Sequence, residues 1–209
     1  MQIVTKAFFS KENNLNLPLA LDVPTAGTPA PSNASYIDNL CIEIEKRLLL
    51  NALGLTLYSE FQMALTDIDN VINAKWKRLL NGEEYDGKVW IGLSYDLNFI
   101  AQKVYETYVT EENSKLTQSG NVQINSENAS LFTPVYKIAN ASQKFKQMYQ
   151  GQIPEYPNVY PNFVDYFGSN GNEIEVSFYQ YLLDKKTDFP TWEASKFKFY
   201  YDEKNSFGL

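Results

Sequence analysis

The chain contains no histidine and one cysteine, Cys41. Without histidine there is no Ser-His-Asp or Cys-His catalysis and no His-ligated metal. One cysteine permits neither an intrachain disulfide nor a Cys-rich zinc site. Apolar residues never run on for more than a few positions, which excludes a membrane-crossing helix. The opening Met1–Lys6 lacks the basic start and apolar stretch of a signal peptide, so a chain that stays inside the cell is expected. There is no basic excess either: 18 Lys and Arg face 25 Asp and Glu, a formal charge of −7. That leaves no overall footprint for nucleic acid or an anionic membrane. Neither G-x-G-x-x-G, G-x-x-x-x-G-K-[ST] nor G-x-S-x-G occurs, so no phosphate cradle or nucleophile elbow is legible. These absences together point to a protein that is not an enzyme and carries no metal or cofactor.

What is present is ordinary in bulk and unusual in detail. The 209 residues are 44% apolar and 21% charged, enough for one domain with arms and a core of its own. Tyrosine occurs 15 times and phenylalanine 13. Tyrosine joins an apolar ring to a polar tip and suits surfaces that are half wet.

Residues 1–34 read as an extended arm. Pro18, Pro24, Pro29 and Pro31 bar a helix there. Leu15, Leu17, Leu19, Leu21 and Val23 alternate with period two, and Phe8-Phe9 precede them. Such a segment is too apolar for a free tail, and its apolar face calls for a surface in its own domain or in a neighbouring chain.

Residues 35–150 read as a helical core. Ser35 and Asp38 have capping-box spacing. Ile37, Leu40, Cys41, Ile44 and Leu48 make one stripe, and Gly54 supplies a stop. Cys41 lies in that stripe and reads as a small core residue. A short helix is expected over 57–65. Another should start at Thr66 with Asp69 as its capping partner and place Ile72, Trp76, Leu79 and Leu80 on one face. Lys75, Lys77 and Arg78 around Trp76 read as a solvated face rather than a nucleic-acid patch. Asp86-Gly87 predicts a type I′ hairpin with Tyr85 opposite Lys88. A helix over about 94–113 carries Leu97, Ile100, Ala101, Val104, Tyr108 and Val109. A second hairpin is expected at about 115–125, centred on Ser119-Gly120. A helix after Pro134 lines Val135, Ile138, Ala139, Ser142, Phe145 and Tyr149, and Gly151 ends it.

Residues 151–209 change character. Pro154, Pro157 and Pro161 interrupt a stretch crowded with Tyr156, Tyr160, Phe163, Tyr166 and Phe167. A turn at 169–172, a helix over 173–185 and a terminal strand through Phe197, Phe199 and Tyr201 are expected. The acidic pairs Glu43/Glu45, Glu83/Glu84 and Glu111/Glu112 read as solvated charge, because adjacent helical residues do not face each other. Asp67-Ile68-Asp69-Asn70 lacks the glycine and closing glutamate of a calcium loop.

Several segments in order carry a resemblance. They are Glu45–Gly54 (Glu-Lys-Arg-Leu-Leu-Leu-Asn-Ala-Leu-Gly), Leu57–Phe61, Trp76–Tyr85, Trp90-Ile91-Gly92-Leu93, the Tyr-rich Val104–Val109, Leu116–Gly120 and Ser126–Ala129. Over roughly residues 8–150 this order resembles head-tail connector (adaptor) proteins of tailed bacteriophages that infect gut Bacteroidetes, the crAss-like group. Residues 151–209 match nothing in that pattern. The resemblance implies a structural virion protein at the head-tail junction, in a ring of about twelve copies under a portal protein. Neighbouring tail or ring proteins and genomic DNA passing through the lumen are its other implied partners. A net negative subunit suits such a conduit, since like charge keeps DNA from sticking. The rival reading is a non-catalytic bacterial binding module that grips a glycan or peptide with its Tyr/Phe-rich last third.

The fold expected is mainly α: a small helical bundle with an inserted β-hairpin, an extended N-terminal arm and an irregular, aromatic-rich C-terminal extension. The expected assembly interface is Phe8, Phe9, Leu15, Leu17, Leu19 and Leu21 of the arm with Leu116, Ser119, Gly120, Val122 and Ile124 of the second hairpin. The arm is expected to lie along a neighbouring subunit.

Overall fold

The structure, a computed structural model, describes residues 2–9, 15, 17, 33–112, 115–117, 120–122, 135–151, 169–170 and 173–200. Its described residues are mainly α-helical, with an inserted two-stranded hairpin. The helices are α1 (Asn33–Ala64), α2 (Ala74–Asn81), α3 (Phe99–Glu112), α4 (Val135–Gln150) and α5 (Phe178–Asp184). The strands are β1 (Glu83–Tyr85), β2 (Lys88–Trp90), β3 (Lys115–Thr117), β4 (Gly120–Val122), β5 (Ser169–Asn170) and β6 (Glu173–Glu175). The chain divides into two compact units. One combines Leu49–Gly92 with Lys146–Leu209, and the other combines Gln2–Leu48 with Leu93–Phe145.

The first of these is an aromatic unit. A four-stranded sheet in the order β1-β2-β6-β5 belongs to it. The β1–β2 hairpin forms as its sequence predicts. Asp86 and Gly87 both take positive φ, 48° and 73°, and Tyr85 stands opposite Lys88. β6 then joins β2 in parallel, with Ile174 beside Lys88 and Glu175 beside Val89. The Val176 N–H continues the ladder to the Val89 carbonyl at 2.9 Å. The expected helix over 173–185 is corrected here. Its first three residues are taken by the sheet, and the Ser177 side chain caps α5 by accepting from the Gln180 N–H. The aromatic core follows from these elements. Trp90 stacks on Phe178 and Tyr181, Trp76 packs between Phe61 and Phe189, and Trp192 donates to the Ala52 carbonyl at 2.8 Å. Residues 197–200 pair with no described strand. The Lys198 N–H donates to the Asn51 carbonyl, and the Gln150 side chain both donates to and accepts from the Tyr200 backbone. A side-chain amide stands where a strand neighbour was expected.

The other unit is built from the first half of α1, α3, the β3–β4 hairpin and the start of the chain. Ile37, Cys41, Ile44 and Leu48 are buried as the stripe predicts. α1 starts at Asn33, ahead of the expected cap, and runs to Ala64 with a non-helical Gly54 (φ 76°, ψ 170°) inside. Asp38 has a role beyond the capping box: its Oδ1 accepts the N–H of Lys6 at 3.2 Å. α3 starts at Phe99 rather than near Ser94, because the Asn98 side chain accepts the Ala101 N–H at 2.9 Å and fixes the first turn there. In α4 Ala141, Phe145, Met148, Tyr149 and Gln150 are buried, while Ala139 is exposed.

Candidate functional site

The chemistry-bearing groups that the sequence singles out are mostly held by a partner or by burial. Cys41 has no exposed surface, and burial, reinforced by Asp38 and Glu45, pushes its thiol up to about 12. A reactive thiol needs the opposite environment. Alkylation with iodoacetamide at pH 8 is therefore expected to label Cys41 only after denaturation. Stoichiometric labelling of the folded protein within minutes would contradict the burial.

The acidic pairs split, which corrects their common reading as solvated charge. Glu43 is exposed and pairs with Arg47 at 3.8 Å, whereas Glu45 is only 5% exposed. Oε2 of Glu45 accepts the N–H groups of Ile3 and Val4 at 2.9 and 3.0 Å. Glu84 is exposed, but Glu83 anchors a network. It accepts from the Tyr181 hydroxyl at 3.0 Å, meets Lys185 at 2.9 Å and lies 3.3 Å from Arg78 Nε. Arg78 also donates to Asp188 at 2.8 Å. Alongside, Asp184 accepts from Tyr85 and Lys88 at 3.0 and 2.6 Å. Burial pushes Asp184 up, but the donors Lys88, Gln180 and Tyr85 outweigh it and hold the carboxyl below its ordinary value. Burial, with carboxylates beside them, raises the hydroxyls of Tyr85 and Tyr181. The network ties the β1–β2 hairpin to α2 and α5. Its groups already face one another, so it reads as a structural clamp.

The cations around Trp76 are likewise taken. Lys75 lies 3.6 Å from Glu60 and over the Trp76 ring, Lys77 meets Asp69 at 2.7 Å, and Arg78 is in the network above. Asp67 and Asn70 bond within their own turn. Among the described residues no group of three or more Cys, Asp or Glu is placed to hold a metal. No described helix is long and apolar enough to cross a membrane.

The expected interface residues fall in different places. Phe9, Leu15 and Leu17 are buried in their own chain, Val4 with them, and Phe8 is half-buried. For these residues the expectation of a segment lying along a neighbour is corrected. α1 supplies carboxylates that bind the segment's amides, and the Leu17 N–H returns to the Phe9 carbonyl at 2.9 Å. Leu116, Gly120 and Val122 sit on β3 and β4, where Leu116 faces Asn121 and Thr117 faces Gly120 across the ladder. Leu19, Leu21, Ser119 and Ile124 lie outside the described residues. β3 and β4 form a sheet by themselves, so among the described residues the outer edge of each strand has no strand neighbour.

The sequence reading missed another set of surface residues. In the aromatic unit Leu55, Met63, Val71 and Ile72 are exposed, the last two at 88% and 86%. Ile72 was expected on the inner face of its helix. It lies instead in a 3-10 turn, Val71–Asn73, whose cap Asn70 accepts the Ile72 N–H. Leu55 and Met63 stand two turns apart on α1, with Ser59 between them on the same face. That spacing is visible in the sequence. The rings of residues 173–200, by contrast, are spent on packing: Phe178, Tyr181, Phe189, Trp192 and Phe197 are buried.

Comparison of the chain with protein-family models, with curated proteins and with solved structures gives no match.

Proposed function

We propose that this chain is a structural virion protein, a head-tail connector subunit. In this reading its copies form a ring below the portal and let DNA pass between capsid and tail without sequence-specific contact. The order of motifs over residues 8–150 supports it. Of the described rings of the last third, Phe178, Tyr181, Phe189, Trp192 and Phe197 are buried and so closed to the rival glycan- or peptide-binding module, while Tyr156, Tyr160, Phe163, Tyr166 and Phe167 lie outside the described residues. The observation that carries the reading is the β3–β4 hairpin. Its strands have three residues each and pair with no other described strand. A two-stranded hairpin is marginal alone in water, and open strand edges invite a partner chain. A closed ring with heterologous contacts provides such a partner on every copy.

Electron microscopy of the purified protein, alone and mixed with a phage portal protein, tests this. Rings on the portal are expected. Replacing 115–122 by a short Gly-Ser link should leave the helical circular dichroism unchanged and abolish ring formation. A protein that stays monomeric beside the portal would overturn the connector reading. Normal rings from the shortened variant would remove the hairpin from the interface.

A further inference from the structure

The attachment of the chain's first residues to α1 is unusual in its chemistry. The Ile3 and Val4 amides both donate to one oxygen of a glutamate that is nearly removed from water. Val4 is buried just before a 3-10 turn, Lys6–Phe9, and Phe9 is buried at its end. The next attachment along α1 is weaker. Asp38, seven residues earlier and so on the same face, accepts the Lys6 N–H at 3.2 Å and meets its ammonium at 3.7 Å, where both side chains are about a third exposed. Exposed pairs of this kind contribute little.

We propose that residues 3–9 are a strap that opens and closes on α1 as a unit, with Oε2 of Glu45 as its catch, while α1 itself stays folded. Two of the strap's amides depend on a single carboxylate oxygen, so losing that one acceptor frees both, a local opening that leaves the core folded. Opening would release Val4 and Phe9 from burial and offer them to another surface. This inference stands whether or not the connector reading holds.

The catch has a sign that distinguishes it from an ordinary ion pair. Closure takes Glu45 out of water, and that burial outweighs the two strap amides, leaving its carboxyl above the ordinary value. The other charges near it are Asp38 on its own helix and Lys6 of the strap, which pair with each other; the Cys41 thiol stays neutral. On α3, whose Tyr108 packs on Tyr36, Lys103 pairs with Glu106, and Glu111 accepts the Tyr36 hydroxyl. Because both amides use one oxygen, a proton on the other oxygen leaves both bonds in place. The closed state therefore holds its proton more tightly than the open one. Closure is firmest below the ordinary glutamate value and weakens as pH rises through the raised one.

Hydrogen exchange read by mass spectrometry, corrected for intrinsic rates, tests this on the whole chain. The Ile3 and Val4 amides should open while the α1 interior stays protected, and more often as pH rises through the Glu45 titration. Glu45→Gln keeps an acceptor without the charge; it should abolish the pH step and protect at least as well as glutamate. Glu45→Ala strands two amides and should lower their protection about tenfold or more. The strap is refuted if these amides exchange only together with α1. A pH step that survives in Glu45→Gln, or full protection in Glu45→Ala, would remove Glu45 as the catch.

Discussion

Replacing Trp90 with alanine is expected to remove about 4–5 kcal/mol of stability from the aromatic unit. Deleting a buried tryptophan typically costs about 3–5 kcal/mol, and this one does more than fill space. It is 2% exposed. Its ring lies 5.6 Å from Phe178 and 5.1 Å from Tyr181, nearly parallel to both. Its Nε1 donates to the Leu79 carbonyl at 2.9 Å, so truncation also orphans a buried acceptor. Domains of this size are stable by about 5–15 kcal/mol, so the loss is a large part of the total. Trp90→Phe separates the terms. It keeps a ring against Phe178 and Tyr181 and loses the N–H, so it should cost about 1–2 kcal/mol. Urea unfolding of both variants, followed by far-ultraviolet dichroism, gives the comparison. An alanine variant within about 1.5 kcal/mol of the native protein would mean that the cavity collapses freely and that Trp90 does not organise this core.

Trp90 also shows where the sequence was legible. Its hairpin turns on Asp86-Gly87, a local instruction that two residues carry by themselves, and both adopt the required positive φ. The buried stripe of α1 and its interruption at Gly54 were equally plain, because helical periodicity repeats over many residues. The sheet that Trp90 borders was not. Glu173-Ile174-Glu175 is too short to distinguish a strand from the first turn of a helix, and its parallel partner β2 lies far away in the chain. No local pattern announces that pairing. The starts of α3 and α5 were missed for a different reason. Asn98 and Ser177 are ordinary caps, but each was absorbed into a longer apolar pattern that extends past the true boundary.

Glu45 is the most instructive residue of the candidate sites. Beside Glu43 it looks like half of a solvated acidic pair. Yet Cys41, Glu45 and Leu48 fall at helical spacing on one face, and that face is buried. A carboxylate on an apolar stripe requires donors from elsewhere. The sequence can show that need but not that the amides of Ile3 and Val4 meet it. The hairpin at 115–122 was expected from alternation around Ser119-Gly120-Asn121, but Gly120 and Asn121 stand in β4, opposite Thr117 and Leu116. The exposed Val71-Ile72 was lost because the turn that presents them is set by Asn70, four residues before α2 begins.

The other large effect is expected at Gly82 and Gly92, where two stretches of backbone cross with no room for a side chain. Gly82 ends α2 with φ 88° and ψ 164°, a conformation essentially restricted to glycine. Gly92 has φ 86°. A Cβ on Gly92 would stand 2.5 Å from the Gly82 nitrogen and 2.6 Å from the Leu80 oxygen; one on Gly82 would stand 2.5 Å from the Trp90 oxygen. All of these are backbone atoms, so relief requires moving α2 against the hairpin rather than turning a side chain. Gly82→Ala and Gly92→Ala are each expected to cost about 3 kcal/mol or more, adding the collision to a backbone penalty of about 1–3 kcal/mol. Gly87 provides the control. It also has positive φ, but nothing lies within 4 Å of its added Cβ, so Gly87→Ala should cost only about 1–2 kcal/mol. Because both crossing positions strain the same contact, the double variant should lose less than the sum of the single ones. Denaturant titration of the four variants decides it. If Gly92→Ala were no worse than Gly87→Ala, the close approach of the two backbone stretches would not exist in solution.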